Sequence, residues 1–306
     1  MSGIYIHIPF CKKACHYCNF HFSTNQNSKS SFIKAVCQEL KLRSYEYSSK
    51  EVQTIYFGGG TPTVLEVSEL SIILDVIYDI YNVSSNPEIT LEANPDDLDS
   101  KTIIALSKTQ INRLSIGIQS FHESDLVAMN RAHDSEEAKQ CLKIATSYFD
   151  NITIDLMYGM PAMTVELWSQ NLQTAFSFGV KHLSCYAMTV EPKTALEHFI
   201  VKGCHLPMDD ELAAQHFKVL MEETSQQGLI HYETCSFGSP GYFSKHNTSY
   251  WLGKPYLGVG PSAHSFDGKK RSWNIANNSK YIKSIEASVL PSRIIKLRIY
   301  PRNLIV

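Results

Sequence analysis

The sequence predicts an α/β fold, a partial (β/α)6 TIM-like barrel with a C-terminal α+β elaboration, and three observations predict it. Short apolar runs recur at residues 3–8, 52–57, 89–91, 114–118, 152–156 and 182–187, with amphipathic stretches between them. That is a spacing of roughly thirty residues, the length of one parallel βα unit. The runs end on polar or glycine-rich positions: Cys11, Gly58 to Gly60, Glu92, Gln119, Asp155 and Tyr186. In βα barrels such strand ends converge on one face and carry the chemistry. After about Pro192 the rhythm changes.

The first run alternates Ile4, Ile6 and Ile8 with Tyr5 and His7, and Phe32, Val36 and Leu40 follow a polar loop at helical spacing. The second run ends in Gly58-Gly59-Gly60, ahead of Leu70, Ile73, Leu74 and Ile77 on one helical face. Beyond the barrel, a helix is expected over Asp209 to Gln227, a strand over Ile230 to Thr234, and a Gly/Ser/Tyr-rich segment up to Ser265. The expected division is therefore residues 1–200 as partial barrel, 201–290 as the elaboration, and 291–306 as a tail.

The 306 residues are 43% hydrophobic and 19% charged, which excludes a disordered chain and a small disulfide scaffold. Twenty-eight basic against thirty acidic residues leave a net charge of −2, so no global field favours nucleic acid or an anionic membrane. The opening MSGIYIHIPFCK has no basic leader, and its apolar run is too short for a signal or a span. A cytoplasmic protein with reduced thiols is expected. Of its eight cysteines, Cys37, Cys141, Cys185 and Cys204 read as packing thiols, and Cys235 is left open.

Cys11-x3-Cys15-x2-Cys18 places three thiols on the loop after the first strand. Three ligands would leave a 4Fe-4S cluster with one open iron, whereas zinc would need a fourth ligand such as His16 or His21. The glycine run one unit later would let backbone approach a ligand closely. Glu92 and Asp155 alone could pair with a helix N-terminus or Arg113, or suggest a glycosidase pair whose separation no sequence specifies. Gly258-x-Gly260-x-x-Ala263 fits a dinucleotide fingerprint, but the polar His264 to Arg271 that follows is expected to be a turn rather than a helix.

The cysteine loop resembles that of the radical S-adenosylmethionine (SAM) superfamily, in which the open iron chelates SAM. The ordered series YIHIPFC, FGGGTPT, LEANP, RLSIGIQSF, IDLMYGMP and YAMTVEPKT narrows the resemblance. It is similar to the oxygen-independent coproporphyrinogen III oxidase-like family, from Ile4 to about Glu286. The resemblance implies a 4Fe-4S cluster on Cys11, Cys15 and Cys18, and SAM contacts from Tyr5, Gly59, Glu92 and His264. It further implies second-SAM positions at Tyr17, Gly60, Thr61, Gln119, Arg131, Asp155 and Ala187.

Two features point within that family to its heme-chaperone branch. Phe20 stands where the oxidase has a further cysteine, and His246-Asn247-Thr248-Ser249-Tyr250-Trp251 resembles the branch's HNxxYW signature. The resemblance implies heme as a third cofactor, with His246 a candidate axial ligand and Cys235 and His264 reserves. It implies hemoprotein recipients, a reductant as electron donor, and possible homodimers; oxidative decarboxylation of coproporphyrinogen III is the alternative activity. After about Leu290 the resemblance ends in a basic, acid-free stretch, PSRIIKLRIYPRNLIV. A frameshift or premature end is expected there, leaving that tail without packing partners and the function impaired.

Overall fold

The computed structural model describes residues 2–46 and 51–296. Along the chain, β1 (Ser2–Ile8), α1 (Lys29–Leu42), β2 (Val52–Gly59), α2 (Val67–Ile80), β3 (Val83–Ala93), α3 (Ser100–Leu106) and β4 (Arg113–Gln119) begin a βα succession. It continues through α4 (Glu123–Ala128), α5 (Ser135–Tyr148), β5 (Ile152–Tyr158), α6 (Val165–Ser177), β6 (His182–Ala187), α7 (Ala195–Val201) and α8 (Asp210–Gln226). Strands β1 to β6 lie side by side in chain order, every pair parallel. This is the six-unit partial barrel expected from the spacing of the apolar runs.

The remaining elements are β7 (Ile230–His231), β8 (Ser236–Gly238), α9 (Lys245–Trp251), β9 (Tyr256–Val259), β10 (His264–Phe266), β11 (Lys270–Asn274), α10 (Asn278–Glu286) and β12 (Ser292–Lys296). Their strands extend the same sheet at both edges, β8 antiparallel on β6 and β9 parallel on β1, rather than forming a separate layer on the barrel. The expected turn from His264 to Arg271 is instead the hairpin β10–β11. Residues Ser292–Lys296, expected to lack packing partners, pair with β11 from Asn274 to Lys270, and 297–306 lie outside the described residues.

Alternation along each strand sorts two faces. Ile4, Ile6, Ile8, Ile55, Phe57, Ile89, Leu91, Leu114, Ile116, Ile154, Leu156 and Leu183 join the helices in one hydrophobic core. Alternate positions turn inward and are polar. Tyr56 donates to Glu92 at 2.8 Å, Ser115 to Asp155 at 3.4 Å, Thr153 meets His182 at 3.0 Å, and the buried Arg113 guanidinium donates to Thr153. A parallel sheet is normally apolar on both faces; here the inward polar groups bond to one another, and Glu92, Ser115 and Asp155 among them line a cavity.

Helix starts follow local chemistry. Asp134 accepts from the Glu137 amide at 2.8 Å while Glu137 reaches back to the Asp134 amide at 3.0 Å, a reciprocal cap on α5. Thr164 and Thr194 cap α6 and α7. Cys141 and Cys185 are buried as expected of packing thiols; Cys204 is exposed and therefore is not one. Among the described residues no helix is long and apolar enough to cross a membrane.

One buried polar cluster ties α1 to the C-terminal strands. The Glu39 carboxylate, fully buried, accepts from Tyr281 at 2.6 Å, Asn274 at 2.8 Å, the Gly260 amide at 2.9 Å and Arg43 at 3.1 Å. Arg43 also donates to the Gly258 carbonyl at 2.8 Å and to Ser265 at 3.2 Å. Removing one member of a buried ion pair strands the other. Arg43→Ala is expected to cost about 3–5 kcal/mol, read as a lowered urea midpoint.

Candidate functional site

The C-terminal ends of the six parallel strands enclose two adjoining cavities. One of about 440 Å³ is lined by Cys11, Cys15 and Cys18, by Tyr17, Gly60 and Thr61, and by Gln119, Arg131, Asp155 and Ala187. The other, about 750 Å³ and opening on the β9–β11 side, is lined by Tyr5 and His264 with Tyr250, Tyr256, Phe266 and Arg271. Gly59, Glu92, Asn19 and Phe20 line both. The positions expected at a first and a second SAM thus separate between the two cavities, with Gly59 and Glu92 at their junction.

The cysteine loop is held by backbone bonds. Cys11 N donates to the Ser23 carbonyl at 3.1 Å, and Thr61 N to the Phe10 carbonyl at 2.7 Å. Gly60 is glycine for the same reason: a Cβ there would sit 2.6 Å from the Phe10 carbonyl oxygen and 2.9 Å from that of Ile8. At Gly59, with φ +116°, a Cβ would strike the His7 ring. The chain's own backbone and His7, not only a ligand, occupy the space a side chain would need.

Two donors address the thiols. Thr61 Oγ1 lies 3.5 Å from Cys11 Sγ, and an Arg131 terminal nitrogen lies 3.3 Å from Cys15 Sγ. Asn94 orients both, donating to Thr61 at 3.1 Å and accepting from Arg131 at 2.7 Å. Arg131 Nε is buried without a partner, a donor still available to a ligand. Three sulfurs line one cavity and side-chain donors address two of them; among the described residues no three ligating side chains stand close enough to hold a single metal ion, so the spread thiols suit a multinuclear iron–sulfur cluster rather than one ion. Burial pushes the Cys11 thiol up to about 11, so loading a cluster must displace protons. His16 is engaged by the Ala128 carbonyl at 3.0 Å and His21 by Asn278 at 2.7 Å, and neither lines the thiol cavity, which disfavours a zinc site completed by them.

Gln119 occupies the left-handed region at φ +66°, where β4 shifts register against β5. Such an irregularity re-aims a side chain, here into the thiol cavity. Glu92 accepts from Tyr56 at 2.8 Å and from the Gly59 amide at 3.1 Å. Burial raises its pKa, while burial and then the nearby Glu92 push Asp155 up to about 7. Both carboxyls face the cavities rather than a helix N-terminus, so the helix-pairing reading fails.

His246, the candidate axial ligand, is buried and hydrogen-bonded through both ring nitrogens. It is 1% exposed, with Nδ1 2.7 Å from Thr54 Oγ1 and Nε2 2.7 Å from the Tyr250 hydroxyl. Its ring lies 5.0 Å from that of Tyr56, and Glu88 caps the start of α9 through the Lys245 and His246 amides, each at 2.9 Å. In this arrangement the expected axial ligand is a buried wedge joining α9 to β1 and β2, and ligating iron would require breaking one of its two ring hydrogen bonds. Sequence reasoning missed Asn94 and Glu191, whose carboxylate accepts from Asn19 at 2.8 Å and fastens the cysteine loop. Both stand inside the motifs LEANP and YAMTVEPKT, which was the available signal.

A parallel barrel whose strand ends hold three thiols beside a glycine-rich edge defines a radical SAM protein. A family model described as the radical SAM superfamily matches residues 5–175. The heme chaperone HemW of Bacillus subtilis is 34% identical over 96% of this chain and 78% of its own length, and that of Mycobacterium tuberculosis 30% identical over 94% and 75%. The solved coproporphyrinogen III oxidase (HemN) of Escherichia coli superposes with a TM-score of 0.84 over 97% of this chain and 72% of its own. At 23% identity that likeness establishes the fold. The chain belongs to the radical SAM superfamily and, within it, to the heme chaperone HemW family.

Gly60→Ala is expected to cost about 1–3 kcal/mol through overpacking, and to lower iron retained after anaerobic reconstitution. A second expectation concerns pH. Because the folded state holds the Asp155 proton more tightly than the unfolded chain, that residue's contribution is intact below about pH 4 and is lost as pH rises through about 7. In the cluster-free protein Asp155→Asn should therefore stabilise by about 1–2 kcal/mol at pH 8, with the gain vanishing near pH 4 in parallel urea titrations.

Proposed function

We propose that this protein is a heme chaperone that carries a 4Fe-4S cluster on Cys11, Cys15 and Cys18, SAM at the junction of its two cavities, and heme for delivery to hemoproteins. The observation that carries the reading is the convergence of the three thiols and the Gly59–Glu92 junction on adjoining cavities, in a chain of the HemW family. When bound, the cluster supplies an open iron for SAM and an electron source. The chain's residues do the rest: Thr61 and Arg131 donate to sulfur, and Glu92 fixes the Gly59 amide.

Tyr5 and His264 belong to the first SAM's surroundings on this reading. Tyr17, Gly60, Thr61, Gln119, Arg131, Asp155 and Ala187 form the wall available to a second. Phe20, 69% exposed at the mouth shared by both cavities, supports a chaperone over an oxidase, because an apolar ring stands where the resemblance implies the oxidase's extra cysteine. A cytoplasmic location, an external reductant and a homodimer complete the proposal.

Anaerobic reconstitution should load a cluster whose spectrum collapses in Cys11→Ser, Cys15→Ser or Cys18→Ser, and the reconstituted protein should bind hemin saturably in an absorbance titration. Stoichiometric zinc in place of iron, or non-saturable hemin uptake, would sink the reading. Conversion of coproporphyrinogen III in the presence of SAM and a reductant would restore the oxidase.

A further inference from the structure

The cysteines outside the cluster loop include a facing pair. Strands β6 and β8 run antiparallel, with His182 opposite Gly238, Leu183 opposite Phe237 and Ser184 opposite Ser236. One step further the same register sets Cys185 opposite Cys235, and Cys185 N donates to the Cys235 carbonyl at 2.8 Å. Opposite residues of an antiparallel pair project to the same side of the sheet, which makes the two thiols neighbours. Their electrostatics agree, since burial, then Asp155, then Cys235 hold the Cys185 thiol far above its ordinary range. Both are free thiols, and neither lines the cavities assigned to the cluster and SAM.

The spacing of such a pair fits a disulfide. Hydrogen-bonded antiparallel partners hold their Cα atoms about 5.5 Å apart, inside the span of about 4.4–6.8 Å that disulfides bridge. Their Cβ atoms need only close from about 5 Å to about 4 Å. Cys235 can supply that movement, because it stands in the short connection between β7 and β8 rather than within a strand. The two thiols also differ in access: Cys185 is 2% exposed, whereas Cys235 is half-buried. A soluble oxidant therefore meets Cys235 first and leaves Cys185 to resolve the product.

We propose that Cys185 and Cys235 are a reversible redox pair, joined as a cross-strand disulfide by small-molecule disulfides such as oxidised glutathione. The Cys235 thiolate attacks one sulfur of the small disulfide, forming a mixed disulfide and releasing one small thiolate. Cys185 gives up its proton and displaces the second small thiol from Cys235. One small disulfide is thereby reduced to two thiols as the protein pair is oxidised. In a thiol-rich compartment the pair rests reduced. Burial raises both thiols, so thiolate is scarce at neutral pH and the pair answers sustained rather than brief oxidation. Beyond Cys185, β6 continues through Tyr186 and Ala187, which line the thiol cavity. The bond fastens that strand end to the β7–β8 hairpin and closes a loop containing α7 and α8.

The test is mass-spectrometric mapping of the full chain, cluster-loaded so that Cys11, Cys15 and Cys18 are occupied. It is incubated anaerobically with oxidised glutathione, then alkylated and digested. Wild type is expected to give a peptide pair joined through Cys185 and Cys235 that dithiothreitol separates. Cys185→Ser should lose the cross-link and retain glutathione on Cys235, while Cys235→Ser should lose it and leave Cys185 reduced. The cross-linked wild type should also unfold several degrees higher than its reduced form, a shift absent from both variants. Alkylation of both thiols in oxidant-treated wild type, or glutathione kept on Cys235 beside a reduced Cys185, overturns the assignment. The wild-type map decides the matter even where a variant fails to fold.

Discussion

The buried carboxylate of Glu39 is the interaction on which the open side of the barrel depends. A six-stranded parallel sheet does not close, and its first edge must be covered without leaving unpaired backbone inside. Glu39 and Arg43, projecting from the first helix, together bind the Gly260 amide, the Gly258 carbonyl and the Ser265 hydroxyl. They thereby anchor both sides of the loop that carries Ser262 and His264 into the larger cavity. Asn274 and Tyr281 supply two more bonds to the same carboxylate from elements late in the chain. A charge buried without these partners would be untenable, so the network selects one arrangement of α1, β9 and the segments that follow.

That arrangement lets the barrel keep a polar interior. Tyr56, Glu92, Arg113, Ser115, Thr153, Asp155 and His182 bond largely to one another along the inward face, while stability comes from the apolar residues facing the helices. The functional end gains two adjoining cavities with distinct chemistry. One is built from sulfur, arginine and carboxylate; the other from aromatic rings, histidine and arginine. Glycines at 59 and 60 bring the wall between them within contact of the first strand.

Much of this was legible in the sequence. The thirty-residue rhythm revealed the six βα units because period-two strands and helical faces are local patterns. The strand-end rule placed Cys11, Glu92, Gln119 and Asp155 on one face, where they are found. Asn94 escaped notice because its role is to orient Thr61 and Arg131, residues far from it in the chain. The extension of the sheet at both edges was equally hidden: strands of three to five residues such as β8 to β11 carry too little periodicity to declare their partners.

The chain alone determined the fold class, the three-thiol loop and the glycine-rich strand end, since each is written in spacing and residue type. Only the tertiary structure showed how differently two histidines are placed. The sequence marks His246 by its motif, yet folding buries that ring and occupies both its nitrogens. His264, in a segment that reads as a polar turn, is presented to a cavity by a hairpin. Exposure and hydrogen-bond satisfaction depend on what folding brings alongside a side chain, and no local pattern contains that information.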